Sequence, residues 1–339
     1  HAIAHSLTSR GLGEVFTRQP PGGRACRAGN IYNLLQRVLY RMAEQGQLEY
    51  AQIPVISLNL MGEEKHTGFR ITPSLLSGGI AAGCYGDLIM CLYQQVKPYE
   101  QNPGETDRIR SQVEKKLCES IRRHRNGRHT REKNYRYACE EFSKVPVKPG
   151  KKKRVGITGE IYMKYSKLGN DDIESFLLRQ GMEPYSGGFV NYCLYLVDTE
   201  RYKAEKYQHN PIMAKACAFV LHRLCEAQKH LLTVIGETDR FQTDLPFPEL
   251  KEKVQGILAE GCNTGDGWLI AAEVIQYVEK GCGSVLILHP FGCLVSHVCE
   301  RGILQRLHAR FPDVSIQTIE YDYDQSKTLR ESRILLAIS

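Results

Sequence analysis

The sequence lacks any apolar run near the roughly 18 to 20 residues that a membrane span needs, and its start has none of the charged, apolar and small-residue order of a secretion signal. No membrane is expected as a partner, and the chain is read as cytoplasmic. It also has no C-x2-C pair, no G-x-G-x-x-G fingerprint and no repeat of fixed period or low-complexity tract. Local sequence therefore announces neither a knuckle-type metal site nor a dinucleotide turn. Cysteine, by contrast, is plentiful at 12 residues. Without a secretion signal a disulfide framework is not expected, and metal or redox use is the better functional reading. Cys118, Cys217, Cys225 and Cys299 fall on apolar helical faces and read as small buried hydrophobes.

The 339 residues are too many for one ordinary core and suit two lobes. A hydrophobic content of 42% and a mean hydropathy of -0.36 describe a globular protein. The net charge of +7 is unevenly spread. Residues 115–154 carry 15 Lys and Arg against 4 Asp and Glu, an excess of 11, which leaves the remainder 4 negative. A spread-out nucleic-acid footprint would look different, so no nucleic acid is expected. The chain begins at His1 rather than Met and is read as a piece of something larger.

Three segments are expected. Residues 1–121 form an amino-terminal lobe that lacks its upstream part, residues 122–153 a basic linker with an exposed helix, and residues 154–339 a second lobe. In the first, PPGGRACRAGN (20–30) is a turn cluster holding Cys26 and Gly29. It leads into a helix with Ile31, Leu34, Leu35, Val38 and Leu39 on one face and Gly46 as its stop. A short strand at 53–57 and a long helix from Pro73 to about Gln95 follow. Thr106 or Asp107 is placed to cap the next helix. The second lobe opens with a strand and Gly turn at 154–162. A helical block spans about 190–261, and a well-marked helix spans 265–281. Strands follow at 285–288 and 314–320, each with a helix behind it. Strands separated by helices of this length imply an α/β fold with parallel pairing.

The stretch at 285–301, VLILHPFGCLVSHVCER, organises the rest. Val285 to Leu288 read as a buried strand, Pro290 and Gly292 stop it, and Leu294, Val298 and Ile303 begin a helical stripe. Cys293 then stands where unpaired helix amides bias a thiol toward thiolate. Cys26 repeats that setting. Ligands in open parallel sheets sit at the carboxyl ends of strands, and Cys293, Gly159 with Glu160, and Asp322 all belong there.

Several chemistries fit these residues. His289, Cys293, His297 and Cys299 make an H-x3-C-x3-H-x-C pattern, but Cys299 should point away from Cys293 on a helix, which counts against zinc. Cys293 with His297 has the outline of a nucleophile and base without a third, orienting group. Cys26 and Cys293 could converge on an iron-sulfur cluster; from spacing alone, two unrelated helix-cap cysteines are the simpler account. GITGE (156–160) is better explained as a tight turn than as a phosphate cradle, and Asp322 and Asp324 as residues that cap or solvate the last helix. The basic segment could meet coenzyme A phosphates or an acidic electron donor, but is more simply a solvated linker.

Six motifs in this order, GGRACRAGNIYNLLQRVL, QQVKPYEQNPGETDRI, RVGITGEIYMKY, GDGWLIAAEVIQYVEKG, HPFGCLVSHVCERGIL and IEYDYDQSK, resemble the 2-hydroxyacyl-CoA dehydratase superfamily over roughly residues 18–339. The likeness is greatest to fused proteins in which such a domain follows activase-type ATPase domains. The resemblance implies two Rossmann-like lobes, with parallel sheets flanked by helices, holding an oxygen-sensitive 4Fe-4S or double-cubane cluster. Its low-potential electrons would come from an ATP-hydrolysing activase. Cys26 and Cys293 match the family's cysteine motifs and are the implied metal ligands, with Gly29 and Gly292 allowing close backbone approach. His289 stands where relatives more often carry another polar residue.

The activase's ATPase motifs are absent, and the family's upstream cysteines precede this chain. The 4Fe-4S cluster is therefore expected to be incomplete or absent in this chain alone. The leading function is an iron-sulfur electron-transfer module of anaerobic CoA-enzyme activation. The alternatives are the catalytic half of a 2-hydroxyacyl-CoA dehydratase, a radical lyase binding acyl-CoA, and a non-catalytic docking domain for the activase. A dimer is a further possible assembly.

Overall fold

A computed structural model describes residues 15–17, 31–46, 55–57 and 72–339. The chain divides into two compact units, His1–Arg70 and Ile71–Ser339. In the first, strands β1 (Val15–Thr17) and β2 (Val55–Ser57) pair in parallel, with Phe16 opposite Ile56. Helix α1 (Ile31–Glu44) connects them in sequence. Cys26 and Gly29 lie outside the described residues.

The second unit opens with three helices, α2 (Pro73–Val96), α3 (Glu105–Arg122) and α4 (Arg128–Ser143). Thr72 caps α2 by accepting the Leu75 amide at 3.1 Å. A window within Ser74–Tyr99 is long and apolar enough to cross a membrane, contrary to the expectation from the bare sequence. One side of it is spent inside the protein, while Leu75 and Leu76 near its start are exposed. Ala81, Leu88 and Leu92 are fully buried among α3, α4 and later helices.

Next come β3 (Arg154–Gly159), α5 (Ile161–Tyr165), α6 (Ile173–Arg179) and β4 (Glu183–Tyr185). The helical block is α7 (Phe189–Lys206), α8 (Pro211–Gly236) and α9 (Phe247–Glu252). The chain then runs through α10 (Gly267–Glu279), β5 (Ser284–Pro290), a π turn (Ser296–Glu300), α11 (Leu304–Arg310), β6 (Ser315–Tyr321) and α12 (Lys327–Ile338). The four strands form an all-parallel sheet in the order β4-β3-β5-β6. Helices cover both faces, which is why β5 is apolar without alternation. Val285 and Ile287 belong to the larger core, with α10 and the helical layer. Leu286 and Leu288 belong to a second core with Met163, Phe176, Ile319 and Ile334. Trp268 lies in the larger core at 1% exposure, its ring 5.1 Å from Tyr195 and 5.9 Å from Phe247.

Three expectations need correction. Residues 122–153 are not a linker, and the units divide after residue 70 rather than there. Tyr135, Ala138, Cys139 and Phe142, spaced as one helical stripe, are buried in the core shared with the sheet. The cations of α4 occupy its other faces, where Arg136 pairs with Glu132 and Glu237. The helix after Cys293 is broken into the π turn, a short 3-10 turn (Arg301–Ile303) and α11. Finally, α3 starts at Glu105, and Glu100 accepts the Gly104 and Thr106 amides, each at 3.1 Å, in place of a cap by Thr106 or Asp107.

Candidate functional site

From β3 the chain passes to β4 on one side, and from β5 to β6 on the other. The order therefore reverses between β3 and β5, and at such a switch the loops leaving the two strands part to form a crevice. Gly159 ends β3 at φ +130°, where a Cβ would overlap the Leu288 carbonyl oxygen. Only glycine lets the two strands stay this close. The Glu160 amide then donates to Leu288 O at 2.8 Å. The Glu160 carboxylate accepts the Tyr162 and Met163 amides at 3.0 Å each. GITGE is thus a tight turn whose helix start is already filled by an anion.

Across the crevice, Gly292 makes the corner after β5 at φ +66°, and Cys293 follows it, half-buried. Phe291, Leu294 and Val298 are exposed around this turn. Burial raises the Cys293 thiol above its ordinary pKa; Ser296 opposes the rise, and Glu300 and Glu160 add to it. The expected bias toward thiolate is overturned. Desolvation and two nearby carboxyls outweigh a helix start that is only a short, irregular turn. Glu300 is fully buried, and burial pushes it up to about 8, so this carboxyl is mostly protonated at neutral pH.

His297 does not serve the thiol. His297 Nδ1 lies 2.7 Å from the carbonyl of Cys293 rather than bonding its sulfur. His289 and His297 each approach Glu320 at 3.8 Å, and Arg301 binds that carboxylate at 3.0 Å. Among the described residues no three His, Cys, Asp or Glu side chains converge to hold one metal ion. Asp322 does not cap the last helix, which starts behind Ser326 with no side-chain cap; it accepts the Asp324 amide at 3.3 Å.

A second charged cluster lies nearer β4. Lys164, 3% exposed, donates to both oxygens of Glu273 at 2.8 and 2.9 Å, and Thr158 donates to the same carboxylate at 2.5 Å. Asp87, from the middle of α2, accepts the Phe189 and Val190 amides at 2.7 and 2.9 Å at the start of α7. Asp244 accepts from Tyr185 at 2.5 Å and from the Gly188 amide at 3.2 Å. Burial raises both acids, Asp87 to about 7. Lys164 and Tyr165 also line a cavity of about 260 Å3 with Gly86, Met90, Gln94 and Arg110.

Sequence reasoning located Cys293, Gly292, Glu160 and the strand ends. It missed Asp87, Glu273 and Glu300. A signal existed for the first two: Asp87 is the one acid of a long apolar helix, and Glu273 stands in the middle of another, whose other acid, Glu279, is at its end. Of the cysteines read as buried, Cys299 is buried, Cys217 and Cys225 are half-buried, and Cys118 is exposed. No family model, no curated protein and no solved structure matches this chain.

As a host for an iron-sulfur cluster, this end of β5 offers the single thiol of Cys293, and among the described residues no three His, Cys, Asp or Glu side chains are grouped beside it. That thiol is half-buried on a glycine corner, with Ser296 beside it. Soft thiolate ligands and hydrogen bonds to sulfur are what such a cluster takes from a protein.

Proposed function

We propose that this chain is an iron-sulfur redox module of the activase and 2-hydroxyacyl-CoA dehydratase type, cytoplasmic, handling low-potential electrons supplied by an activase-type ATPase. The observation that carries the reading is the position of Cys293, on the Gly292 corner at the carboxyl end of β5, beside the crevice where the strand order reverses. When bound, the cluster supplies one-electron chemistry. The chain's residues hold and shield it. Gly159 keeps β3 against β5 below the crevice, while Phe291, Leu294 and Val298 surround the turn with apolar surface. An electron relay is better supported than a radical lyase. The 260 Å3 cavity is lined by α2, α3 and residues 164–174 rather than by Cys293, whereas a lyase needs its substrate beside an open iron. The test is anaerobic reconstitution of the chain with iron and sulfide, counting both, in wild type and Cys293→Ser. The variant is expected to lose most of the bound iron; equal loading would refute the reading.

A further inference from the structure

The start of α2, the end of α3 and the start of α4 meet at one end of the helical layer. His124 Nδ1 lies 3.1 Å from Ser74 Oγ, and a Cβ on Gly78 would stand 3.6 Å from Asn126 Nδ2 and 4.0 Å from Ile121. The turn between α3 and α4 is tied down from within. The Arg125 amide donates to Ser120 O at 3.0 Å, the Ser120 hydroxyl donates to Arg125 O at 3.0 Å, and Asn134 Nδ2 donates to that hydroxyl at 3.1 Å. Asn126 is tucked beneath the turn at 7% exposure. Its neighbours face outward: Arg122, Arg123, His124, Arg125, Arg128 and His129 are all exposed.

The charge at this end is of one sign. From Ser120 to Arg131 the sequence holds five arginines, two histidines and no acid. Arg123 pairs with Glu119 at 2.6 Å, whereas Arg122, Arg125 and Arg128 have no carboxylate partner among the described residues. Helix α4 starts behind Gly127 with no side-chain cap and no acid in its first turn, so its open amides add partial positive charge. Beside the guanidinium groups, Leu75 and Leu76 in the first turn of α2 are 47% and 55% exposed.

Three kinds of anionic partner carry the charge to meet these cations, and the leucines choose among them. A nucleic acid is gripped through its phosphates and has no use for two aliphatic side chains among the cations. A protein interface is anchored by aromatic side chains in pockets, and this ring of exposed residues contains no Phe, Tyr or Trp. An acidic lipid surface takes both features. Guanidinium groups meet the headgroup charge, and leucines enter the apolar boundary beneath it. Such contact lies on the membrane and needs no spanning segment.

We propose that the end of the helical layer carrying Leu75, Leu76, Arg122, Arg125 and Arg128 docks reversibly on a membrane surface rich in anionic phospholipid. Each arginine near such a surface contributes a factor of about five in partitioning, so the three together contribute about a hundredfold.

The test mixes the full chain with phosphatidylcholine vesicles, with or without about one-third phosphatidylserine, and measures the fraction that sediments with lipid at low and high salt. The wild type is expected to sediment with the anionic vesicles at low salt and to stay in solution beside phosphatidylcholine alone. Combining Arg122→Gln, Arg125→Gln and Arg128→Gln should lower the partition coefficient about a hundredfold. Leu75→Ser with Leu76→Ser should lower it at least about fivefold, a loss that salt does not remove. All five side chains are exposed, and circular dichroism checks that the variants fold. No sedimentation of the wild type with anionic vesicles, or equal sedimentation of the folded arginine variant, overturns the proposal. Unchanged binding by the leucine variant, or tighter binding of the wild type to a DNA duplex or to polyglutamate than to the vesicles, overturns the lipid assignment. A second measurement needs no variant. Hydrogen exchange in residues 122–129 should slow when anionic vesicles are added, and vesicle binding with unchanged exchange there overturns the placement.

Discussion

Replacing Asp87 by asparagine tests the energetics of the buried charge cluster. Asp87 is half-buried, accepts two amides at the start of α7, and faces Asp244 and the Lys164 ammonium. Burial dominates over those amides and raises the carboxyl from 3.8 to about 7. A raised acid favours the folded state when protonated. Its contribution is therefore complete below the unfolded pKa and is lost as pH climbs to about 7. About three pH units at about 1.4 kcal/mol each put the whole loss near 4 kcal/mol. Roughly 2.5 kcal/mol of it falls between pH 5 and pH 8. An asparagine side chain in its place would keep one carbonyl for the amides and cannot ionise. The stability of Asp87→Asn relative to wild type, from urea unfolding, should therefore improve by about 2–3 kcal/mol from pH 5 to pH 8. Other titrating groups cancel in that difference. A gap that stays constant with pH would refute the burial argument, whatever its absolute size.

Two more outcomes bear on separate parts of the fold. Lys164→Met leaves the Glu273 carboxylate buried beside only Thr158, and should cost about 3–5 kcal/mol of unfolding free energy. Adding Glu273→Gln should restore part of that, and a Lys164→Met variant within about 1 kcal/mol of wild type would show that the pair is solvated. Phe142→Ala should cost about 3–5 kcal/mol if α4 belongs to the core, against about 0.5 for a residue of an exposed linker, as read from the thermal midpoint.

What could be read from the sequence was whatever local pattern decides. The unbroken apolar run at 285–288 fixed a strand buried on both faces, and Pro290 with Gly292 fixed its end. Pro73 marked the start of α2. Residues 122–153 misled because a regional charge excess hides a four-residue stripe; Tyr135, Ala138, Cys139 and Phe142 reach the core while the cations around them stay in water. Cys293 was placed correctly but its acidity was not, since the groups that set it, Glu160, Ser296 and Glu300, are distant or oddly spaced in sequence. Asp87 could not be interpreted locally at all: the amides it caps are about a hundred residues away.

Trp268 is the sole indole in the sequence, and it is packed between Tyr195 and Phe247 at the heart of the second unit. Its fluorescence is therefore a natural probe of that unit alone. A blue emission maximum marks an intact interior there, and a red shift on denaturation dates the collapse of the sheet and its helices. Residues 1–70 contain no such fluorophore, so events in them must be followed by another signal.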